Sequence, residues 1–299
     1  MKLVQSFIEG VQKLNPQQER YIRSSLEAAS EEELNGLKLY LNFCIDQGYT
    51  IGELSEAYNT IVQDTVKEQF FFMRNKRYRY STFEEVAQDV YFNEQYMTKY
   101  MLGLAITTFI WKNHRAISTF FRESLPKGKS GTYLEVGPGH GWNFMQAMQQ
   151  GSFDKYIGVD ISPTSLSLTN KILSNEMFRT EKSYELHEKD FLSWDVNQKP
   201  DAFVMGEVLE HVEQPEVFLQ KVSEISKSDT HIFITTCINA PAIDHIYLYR
   251  TPEELEKQFE HAGLKIENQL LTPYEGLTLE ETLAQTLPLN VAYSLRKIS

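Results

Sequence analysis

The chain has 299 residues, of which 41% are hydrophobic and 23% charged, with a formal net charge of −12 at pH 7. This composition is typical of a globular protein, and no apolar run approaches the ~20 residues that span a bilayer, so a membrane protein is not expected. The acidic balance disfavours nucleic acid as a partner and favours a small-molecule substrate. Cys44 and Cys237 lie far apart among apolar residues, which predicts free thiols and a cytoplasmic location.

Residues 1–125 are predicted to form an all-helical cap. Capping boxes, in which a hydroxyl and a carboxylate satisfy the free amides of a first helical turn, are predicted at three pairs: Ser30 with Glu33, Thr50 with Glu53, and Ser81 with Glu84. A further helix, bent at Gly103, is predicted over residues 93–124. The Pro- and Gly-containing stretch 126–131 predicts a linker, because neither residue continues a helix well.

From residue 126 to residue 299, short apolar runs alternate with helical patterns. Strands are predicted at 133–136, 156–159, 184–187, 202–205 and 232–234, with helices at about 141–150, 163–177, 215–226 and 252–262. This alternation predicts an α/β fold with a doubly wound, mainly parallel sheet covered by helices on both faces.

A glycine loop follows the first predicted strand, in the segment Glu135-Val136-Gly137-Pro138-Gly139-His140-Gly141. Glycine permits a tight turn and a close approach of the backbone to a ligand at the carboxyl edge of the sheet. Trp142 occupies the place where the dinucleotide fingerprint requires glycine, and the Gly-Lys-Ser/Thr of a phosphate-binding loop is absent from this segment. The loop therefore predicts a nucleoside ligand without phosphates.

Acidic residues at the ends of the next two strands extend this site. Asp160 ends the second strand about 20 residues beyond the loop, where a carboxylate can accept from ribose hydroxyls. Asp190 and Phe191 follow the third strand, where an acid can accept from an adenine amino group and a ring can flank the base. Any one of these acids could be a surface or helix-capping carboxylate, but Glu135, Asp160 and Asp190 at three successive strand ends indicate one binding site.

Three segments together resemble the ordered motifs of class I S-adenosylmethionine-dependent methyltransferases, closest to the small-molecule and ubiquinone-biosynthesis branch. They are Leu134-Glu135-Val136-Gly137-Pro138-Gly139-His140-Gly141, Gly158-Val159-Asp160-Ile161-Ser162 and Gly206-Glu207-Val208-Leu209-Glu210-His211-Val212. The resemblance covers residues 131–299 and implies a Rossmann-like sheet of seven strands. It implies that the last strand, at about 290–297, is antiparallel.

The resemblance also implies a cofactor, S-adenosyl-L-methionine, with S-adenosyl-L-homocysteine as the product. By this resemblance, Glu135 and the three loop glycines Gly137, Gly139 and Gly141 lie near the methionine portion of the cofactor. Asp160, with Ile161 beside it, lies at the ribose, Asp190 and Phe191 lie at the adenine, and Glu207 lies beside the cofactor.

The acceptor side is expected to lie past the fourth and fifth strands. Methyl transfer requires alignment of the acceptor, exclusion of water and, where the acceptor carries a proton, its removal. His245, in the polar loop after the fifth strand, is the first choice as the catalytic base, with Glu207 as a second catalytic candidate. The alternative is that Asp244 and His245 only hold the loop. His211 and Tyr247 are further candidates for acceptor contact, although His211 is assigned a structural role ahead of a catalytic one.

The predicted cap contributes aromatic and basic candidates. Arg77, Tyr78, Tyr80, Tyr96 and Tyr100 are predicted to contact the acceptor. The basic run 74–79 suggests capture of an anionic acceptor, and its alternative interpretation is a solvated surface. The connection 274–288 between the last two strands is predicted to close one side of the acceptor pocket. No metal site is predicted.

Three functions fit these observations. The first is methylation of a small-molecule acceptor, in biosynthesis or secondary metabolism, under a helical lid. The second is an RNA or protein methyltransferase, and the third is a cofactor-binding subunit that supports a partner without catalysis. The sequence does not specify the acceptor atom (oxygen, nitrogen, sulfur or carbon) or the oligomeric state, and it is compatible with a homodimer.

Overall fold

The computed structural model describes residues 2–298, apart from the side chain of Asp89. Helices α1 to α12 span Lys2–Leu14, Pro16–Glu27, Glu31–Asp46, Ile51–Asn75, Phe83–Val86, Glu94–Ile110, Lys112–Ser124, Trp142–Gln150, Pro163–Ser174, Pro215–Ile225, Pro252–His261 and Leu279–Ala284. Strands β1 to β7 span Thr132–Val136, Lys155–Asp160, Ser183–Glu188, Ala202–Gly206, His231–Ile238, Leu264–Thr272 and Leu289–Lys297. A π-helical turn covers Ala87–Tyr91 and a 3-10 turn covers Leu209–His211.

Helices α1 to α7, with the π-helical turn, form the N-terminal helical region, which we call the cap. The capping boxes predicted at Ser30 and at Thr50 are confirmed, because each hydroxyl accepts from the amide three residues later and the matching glutamate accepts in return. The third prediction is wrong by one residue, since Thr82 and Glu85 form the box at the start of α5. Adjacent hydroxyl and acidic residues, Ser81-Thr82 and Glu84-Glu85, make the two registers equivalent in the sequence.

The helix predicted over 93–124 is two helices, and the break is at Trp111 and not at Gly103. Trp111 has φ −80° and ψ 126°, an extended conformation that ends α6 and precedes α7. Gly103 lies inside the continuous helix α6, at its closest approach to α4. A Cβ at this position would lie 2.7 Å from Cγ1 of Ile61 and 2.8 Å from the carbonyl carbon of Ala57. The glycine therefore permits a close helix crossing and does not bend the helix.

The seven strands form one sheet in the order β3-β2-β1-β4-β5-β7-β6. Strands β1 to β5 pair with one another in parallel, and β7 is antiparallel to both β5 and β6. Both expectations, a doubly wound seven-stranded sheet and an antiparallel last strand, are confirmed. The strand order reverses between β1 and β4, where the carboxyl ends of parallel strands leave a crevice that commonly binds ligands.

The cap and one face of the sheet share a single hydrophobic core. Trp142, at the start of α8, packs edge-on against Tyr40 of α3 and Phe109 of α6, with ring centroids 6.0 and 4.9 Å apart. Phe121 of α7 packs against Phe233 of β5 at 5.2 Å. The division of the chain at residue 125 stays a prediction, and this shared core implies that removing the cap would expose apolar surface of the sheet region.

Over residues 2–298, no helix combines the length and the hydropathy that a membrane crossing requires.

Candidate active site

A cavity of about 560 Å³ lies between the carboxyl edge of the sheet and the cap. Its size falls within the usual range of small-molecule sites, and it sits at the point where the strand order reverses. One wall comes from the loops after β1, β2, β3, β4 and β5, and the opposite wall comes from α6, α7 and the π-helical turn. The cavity therefore joins the predicted cofactor segments to the cap.

The glycine loop turns the chain from β1 into α8. Gly137, Gly139 and Gly141 have φ values of 70°, 55° and 79°, in the left-handed region that favours glycine. Gly137 and Gly139 line the cavity, whereas Gly141 packs away from it against α9. A Cβ on Gly141 would lie 2.8 Å from Cα of Thr169, so Gly141 allows α8 and α9 to approach.

A buried and a half-buried carboxyl group, those of Glu135 and Asp160, lie beside this loop, and both line the cavity. Glu135 of β1 is 3% exposed and contacts the hydroxyl of Tyr133. Burial raises the pKa of Glu135 from 4.5 to about 8. Asp160 ends β2 and accepts from the amide of Ser162 at 2.8 Å, while burial raises its pKa from 3.8 to about 6. Carboxyl groups with raised pKa values in a cleft are typical of ligand sites.

Replacing Asp160 by alanine is expected to weaken binding of S-adenosyl-L-homocysteine by ~1–3 kcal/mol, because a buried hydroxyl donor would lose a charged acceptor. Titration calorimetry of the variant and the parent measures the change. Asp154→Ala is the matched control, since that aspartate follows α8 and does not line the cavity. An unchanged dissociation constant in a folded Asp160 variant would remove this residue from the cofactor site.

Affinity for S-adenosyl-L-homocysteine and stability of the unliganded protein are expected to change in opposite directions with pH. A carboxyl whose folded pKa is raised stabilises the fold below its unfolded pKa, and this contribution is lost as pH rises through the folded pKa. Above about pH 7 the buried histidines, whose pKa values are lowered, are neutral in both the folded and the unfolded state. Stability should therefore fall from pH 7 to 9 as Glu135 ionises, at a pKa of about 8. Ligand affinity should rise over the same interval, by up to about tenfold per unit for each linked proton. Thermal unfolding and calorimetry across this interval test the two slopes, and parallel slopes would contradict the linkage.

The remaining predicted cofactor residues lie on the same wall. Ile161, Asp190 and Phe191 line the cavity after β2 and β3. Asp190 is exposed, and its carboxylate accepts from the amide of Leu192 at 2.9 Å, which stabilises the turn after β3. Phe191 is 3% exposed and packs against Phe203 of β4 at 5.9 Å, so its ring is fixed at the edge of the cavity.

Glu207 follows β4 in a strained conformation. Its φ of 52° lies in the left-handed region, which is unfavourable for a residue with a side chain, and its amide donates to the carbonyl of Thr235 on β5. Its Oε1 atom is buried and has no hydrogen-bond partner within residues 2–298. Burial and the neighbouring Glu207 side chain raise the pKa of the Glu210 carboxyl. A residue with a strained backbone on the wall of a cavity indicates a ligand contact.

The loops after β4 and β5 are joined by backbone hydrogen bonds. The amides of Ile246 and Tyr247 both donate to the carbonyl of Glu210, at 2.9 and 3.0 Å. This pairing brings His211 and His245 together, with ring centroids 4.8 Å apart and planes at 84°. Both rings line the cavity.

The two histidines differ in their partners. Nδ1 of His245 lies 2.7 Å from the carbonyl of Ala240, and burial lowers the pKa of His245 to about 4. Nδ1 of His211 lies 3.1 Å from the carbonyl of Asp244 and 3.4 Å from its carboxylate. A histidine oriented by a carboxylate is the arrangement of an activated base.

Two groups of side chains have the composition of a metal site. His211, Asp244 and His245 form one, and Glu210, Cys237 and His245 form the other, with ligand-type atoms within 4.8 Å of one another in each. Their short contacts are also explained by the hydrogen bonds among the same residues, and we assign no metal to either group.

The cap side of the cavity is mainly apolar. Met97, Met101 and Leu104 follow one another along α6, and Tyr91, Tyr100 and Ile117 extend this wall. Of these, only Tyr100 is among the residues that the sequence predicts to contact the acceptor. Met97, Met101 and Leu104 recur at the spacing of a helix face, but this pattern does not distinguish a face that packs in the core from one that borders a cavity.

Several predicted acceptor residues do not line the cavity. The guanidinium of Arg77 lies over the ring of Phe71, and Arg79 pairs with the buried Glu68. Tyr78 is buried behind His245, Tyr80 packs against the cluster around Val86, and the hydroxyl of Tyr96 donates to Asp64 at 2.8 Å. Tyr247 is turned towards Glu216 and Gln258. Arg77 and Arg79 therefore make contacts within the cap, and no residue of the basic run lines the cavity.

The connection between β6 and β7 also lies outside the cavity wall. It contains α12 and emerges at the cofactor edge of the sheet, but none of residues 274–288 lines the cavity. Glu275 instead pairs with Lys112 of α7, so this connection braces the cap. The prediction that it closes the acceptor pocket is wrong.

The sheet order, the antiparallel β7 and the glycine loop with its buried acids define a class I methyltransferase fold. A family model described as a methyltransferase domain matches residues 110–284, more than half of the chain. The chain therefore belongs to the family of S-adenosylmethionine-dependent methyltransferases.

Among curated proteins, the chain is similar to the mitochondrial ubiquinone biosynthesis O-methyltransferase of Dictyostelium discoideum. The two are 27% identical over 176 residues, which cover 52% of this chain and 49% of that protein. The chain thus spans about half the length of this relative.

Two solved structures share the fold. The mitomycin 7-O-methyltransferase MmcR has a TM-score of 0.55 at 11% identity, covering 83% of this chain and 70% of that one. The mycolic acid cyclopropane synthase CmaA1, complexed with SAH and CTAB, has a TM-score of 0.51 at 12% identity, with coverage of 62% and 84%.

Proposed function

We propose that the protein transfers the methyl group of S-adenosyl-L-methionine to a small-molecule acceptor that carries no negative charge. The observation that carries this proposal is the single cavity shared by the glycine loop and the apolar face of α6. A cavity that contains both walls can align a cofactor and an acceptor and exclude water from them.

The cofactor would be held by residues of the sheet edge. The carboxylates of Glu135, Asp160 and Asp190 can accept hydrogen bonds from the amino and hydroxyl groups of the cofactor. Gly137 and Gly139 have no side chains, so the cofactor can approach their backbone closely. Glu207, whose left-handed backbone lies on the cavity wall, is a further candidate for a contact with the cofactor. When bound, the cofactor supplies a methyl carbon activated by a sulfonium, and the carbon–sulfur bond breaks as the bond to the acceptor forms. The product S-adenosyl-L-homocysteine fits the same residues, and the SAH complex of CmaA1 supports this assignment.

The charge of the cavity limits the acceptor. Acidic residues line it at several points, whereas Lys189 is the only lysine or arginine on its wall within residues 2–298. An anionic acceptor would meet carboxylates without a compensating guanidinium. The basic run 74–79 is not placed to capture an anionic acceptor, since Arg77 lies over the ring of Phe71 and Arg79 pairs with Glu68.

We assign the role of general base to His211 for acceptors that carry a proton. Its Nδ1 faces Asp244, whereas its Nε2 lies 4.0 Å from a carboxyl oxygen of Glu210, beyond hydrogen-bond distance. Nε2 is therefore the nitrogen that accepts the acceptor's proton as the new bond to carbon forms. His245 is a weaker base at neutral pH, because burial lowers its pKa to about 4. His245 is better suited to support the ring of His211, which it contacts edge-on.

The proposal can be tested with three matched acceptors that share one catechol ring. Catechol is neutral, 3,4-dihydroxybenzoate is anionic and dopamine is cationic. We expect release of S-adenosyl-L-homocysteine with catechol or dopamine and at least about tenfold less with the benzoate, corresponding to ~1.4 kcal/mol. Preference for the benzoate would overturn the proposed charge selectivity. Tight cofactor binding by calorimetry without turnover on these or on RNA and protein acceptors would favour a non-catalytic partner role instead.

A further inference from the structure

Asp244 lies where the cap meets the sheet, in the loop after β5. It is 2% exposed and lines the cavity. Its carboxylate accepts from the hydroxyl of Tyr91 at 3.2 Å and from that of Tyr100 at 3.3 Å. One of its oxygens also lies 3.4 Å from Nδ1 of His211. Three side chains from two parts of the fold therefore converge on one buried carboxylate.

The three side chains that contact Asp244 differ in charge. A buried carboxylate is costly unless it is paired and hydrogen-bonded. The two tyrosines supply neutral donors, and His211 is the basic side chain in direct contact. Removal of the tyrosine hydroxyls would leave His211 as the main partner of the carboxylate, and would free Asp244 to move relative to the ring.

Tyr91 contacts both members of this pair. Its ring lies edge-on to the ring of His211, with centroids 6.2 Å apart, while its hydroxyl reaches Asp244. It belongs to the π-helical turn, a rare conformation that is frequent at functional sites. Four residues before this turn begins, the amide of Phe83 donates to Glu213, two residues beyond His211. This segment of the cap is thus fastened to the loop that carries the base.

We propose that Asp244 is a positioning residue that couples the placement of the cap over the cavity to the orientation of the His211 ring. When Tyr91 and Tyr100 occupy their places over the cavity, their hydroxyls fix the carboxylate, and the carboxylate with the backbone of its own residue holds Nδ1 of His211. The ring then presents Nε2 as the base only under a closed cap. This inference rests on the proposed function, since it assigns a role within the same site.

The test is a double-mutant cycle on turnover of catechol or dopamine. Asp244→Asn is expected to lower kcat by ~10²–10⁴-fold, as removal of the orienting carboxylate does in a catalytic triad. The pair Tyr91→Phe with Tyr100→Phe is expected to lower kcat by ~10–10²-fold through misplacement of the base. KM for the acceptor and the dissociation constant of S-adenosyl-L-homocysteine should change by less than about threefold in both variants.

Repeating both changes in a His211→Gln background separates positioning from general stability. If Asp244 acts through His211, neither change lowers kcat further in that background. Asp64→Asn is the matched control, because Asp64 accepts from Tyr96 inside the cap in the same way without touching His211. Additive losses in the His211→Gln background, or an equal loss with Asp64→Asn, would overturn the proposal.

Hydrogen exchange tests the coupling without an acceptor. With S-adenosyl-L-homocysteine bound, Asp244→Ala and Asp244→Asn should speed amide exchange in the π-helical turn, and Asp64→Ala should not. If the parent protein methylates none of the three probes, the proposed function fails, and the exchange experiment still decides whether Asp244 fastens the cap. Unchanged exchange in the π-helical turn of both Asp244 variants would overturn the inference.

Discussion

Replacing His211 by glutamine is expected to lower kcat by ~10²–10⁴-fold for an acceptor that carries a proton, the usual contribution of a general base. The side chain lies on the cavity wall, and its Nδ1 faces both the carbonyl and the carboxylate of Asp244. Glutamine keeps much of the volume but does not accept a proton at neutral pH. The measurement is release of S-adenosyl-L-homocysteine under saturating cofactor, with the dissociation constant of the cofactor unchanged.

His245→Gln and His261→Gln complete this experiment. We expect the His245 variant to lose less activity than the His211 variant, because burial already lowers the pKa of His245 to about 4 and its Nδ1 is directed to Ala240. His261 is exposed at the end of α11 and serves as the control for histidine loss outside the cavity. The reverse order, with the larger loss at His245, would return the base to the residue that sequence reasoning favoured.

Replacing Gly103 by alanine is expected to destabilise the protein by ~1–3 kcal/mol or more, the usual cost of forcing atoms into a packed interior. The added Cβ would meet Cγ1 of Ile61 at 2.7 Å and the carbonyl carbon of Ala57 at 2.8 Å. Backbone is not able to move aside as a flexible side chain does, so α6 would shift away from α4. Because α6 carries Tyr100, Met101 and Leu104, this shift should also reduce turnover.

Gly52→Ala is the matched control for this change. Gly52 is an exposed glycine in the first turn of α4, and its nearest neighbour to an added Cβ is Oγ1 of Thr50 at 3.7 Å. Alanine there should be neutral or stabilising by up to ~1 kcal/mol, since it favours helix over the unfolded chain. Urea unfolding of both variants gives the comparison. Equal stabilities for the two would mean that α4 and α6 have room to separate.

The sheet region was largely predictable because its signals are local. Short apolar runs between helical patterns predicted the strands, and glycines after β1 predicted a tight turn with a ligand. Asp160 and Asp190 could be assigned to one site since the carboxyl ends of neighbouring parallel strands meet at one edge. Capping boxes were equally readable, with a one-residue error only where two hydroxyls and two acids stand side by side.

The acceptor side depended on tertiary structure. Helical periodicity identified apolar faces in the cap, but only packing decides whether a face such as that of Met97 and Met101 meets the core or a cavity. The basic run has the composition of an anion site. In the folded protein, however, Arg77 and Arg79 lie over the ring of Phe71, and Arg79 also pairs with the buried Glu68. Asp244, Tyr91 and His211 are far apart in the chain, and their convergence follows from how the cap lies on the sheet, which no local pattern encodes.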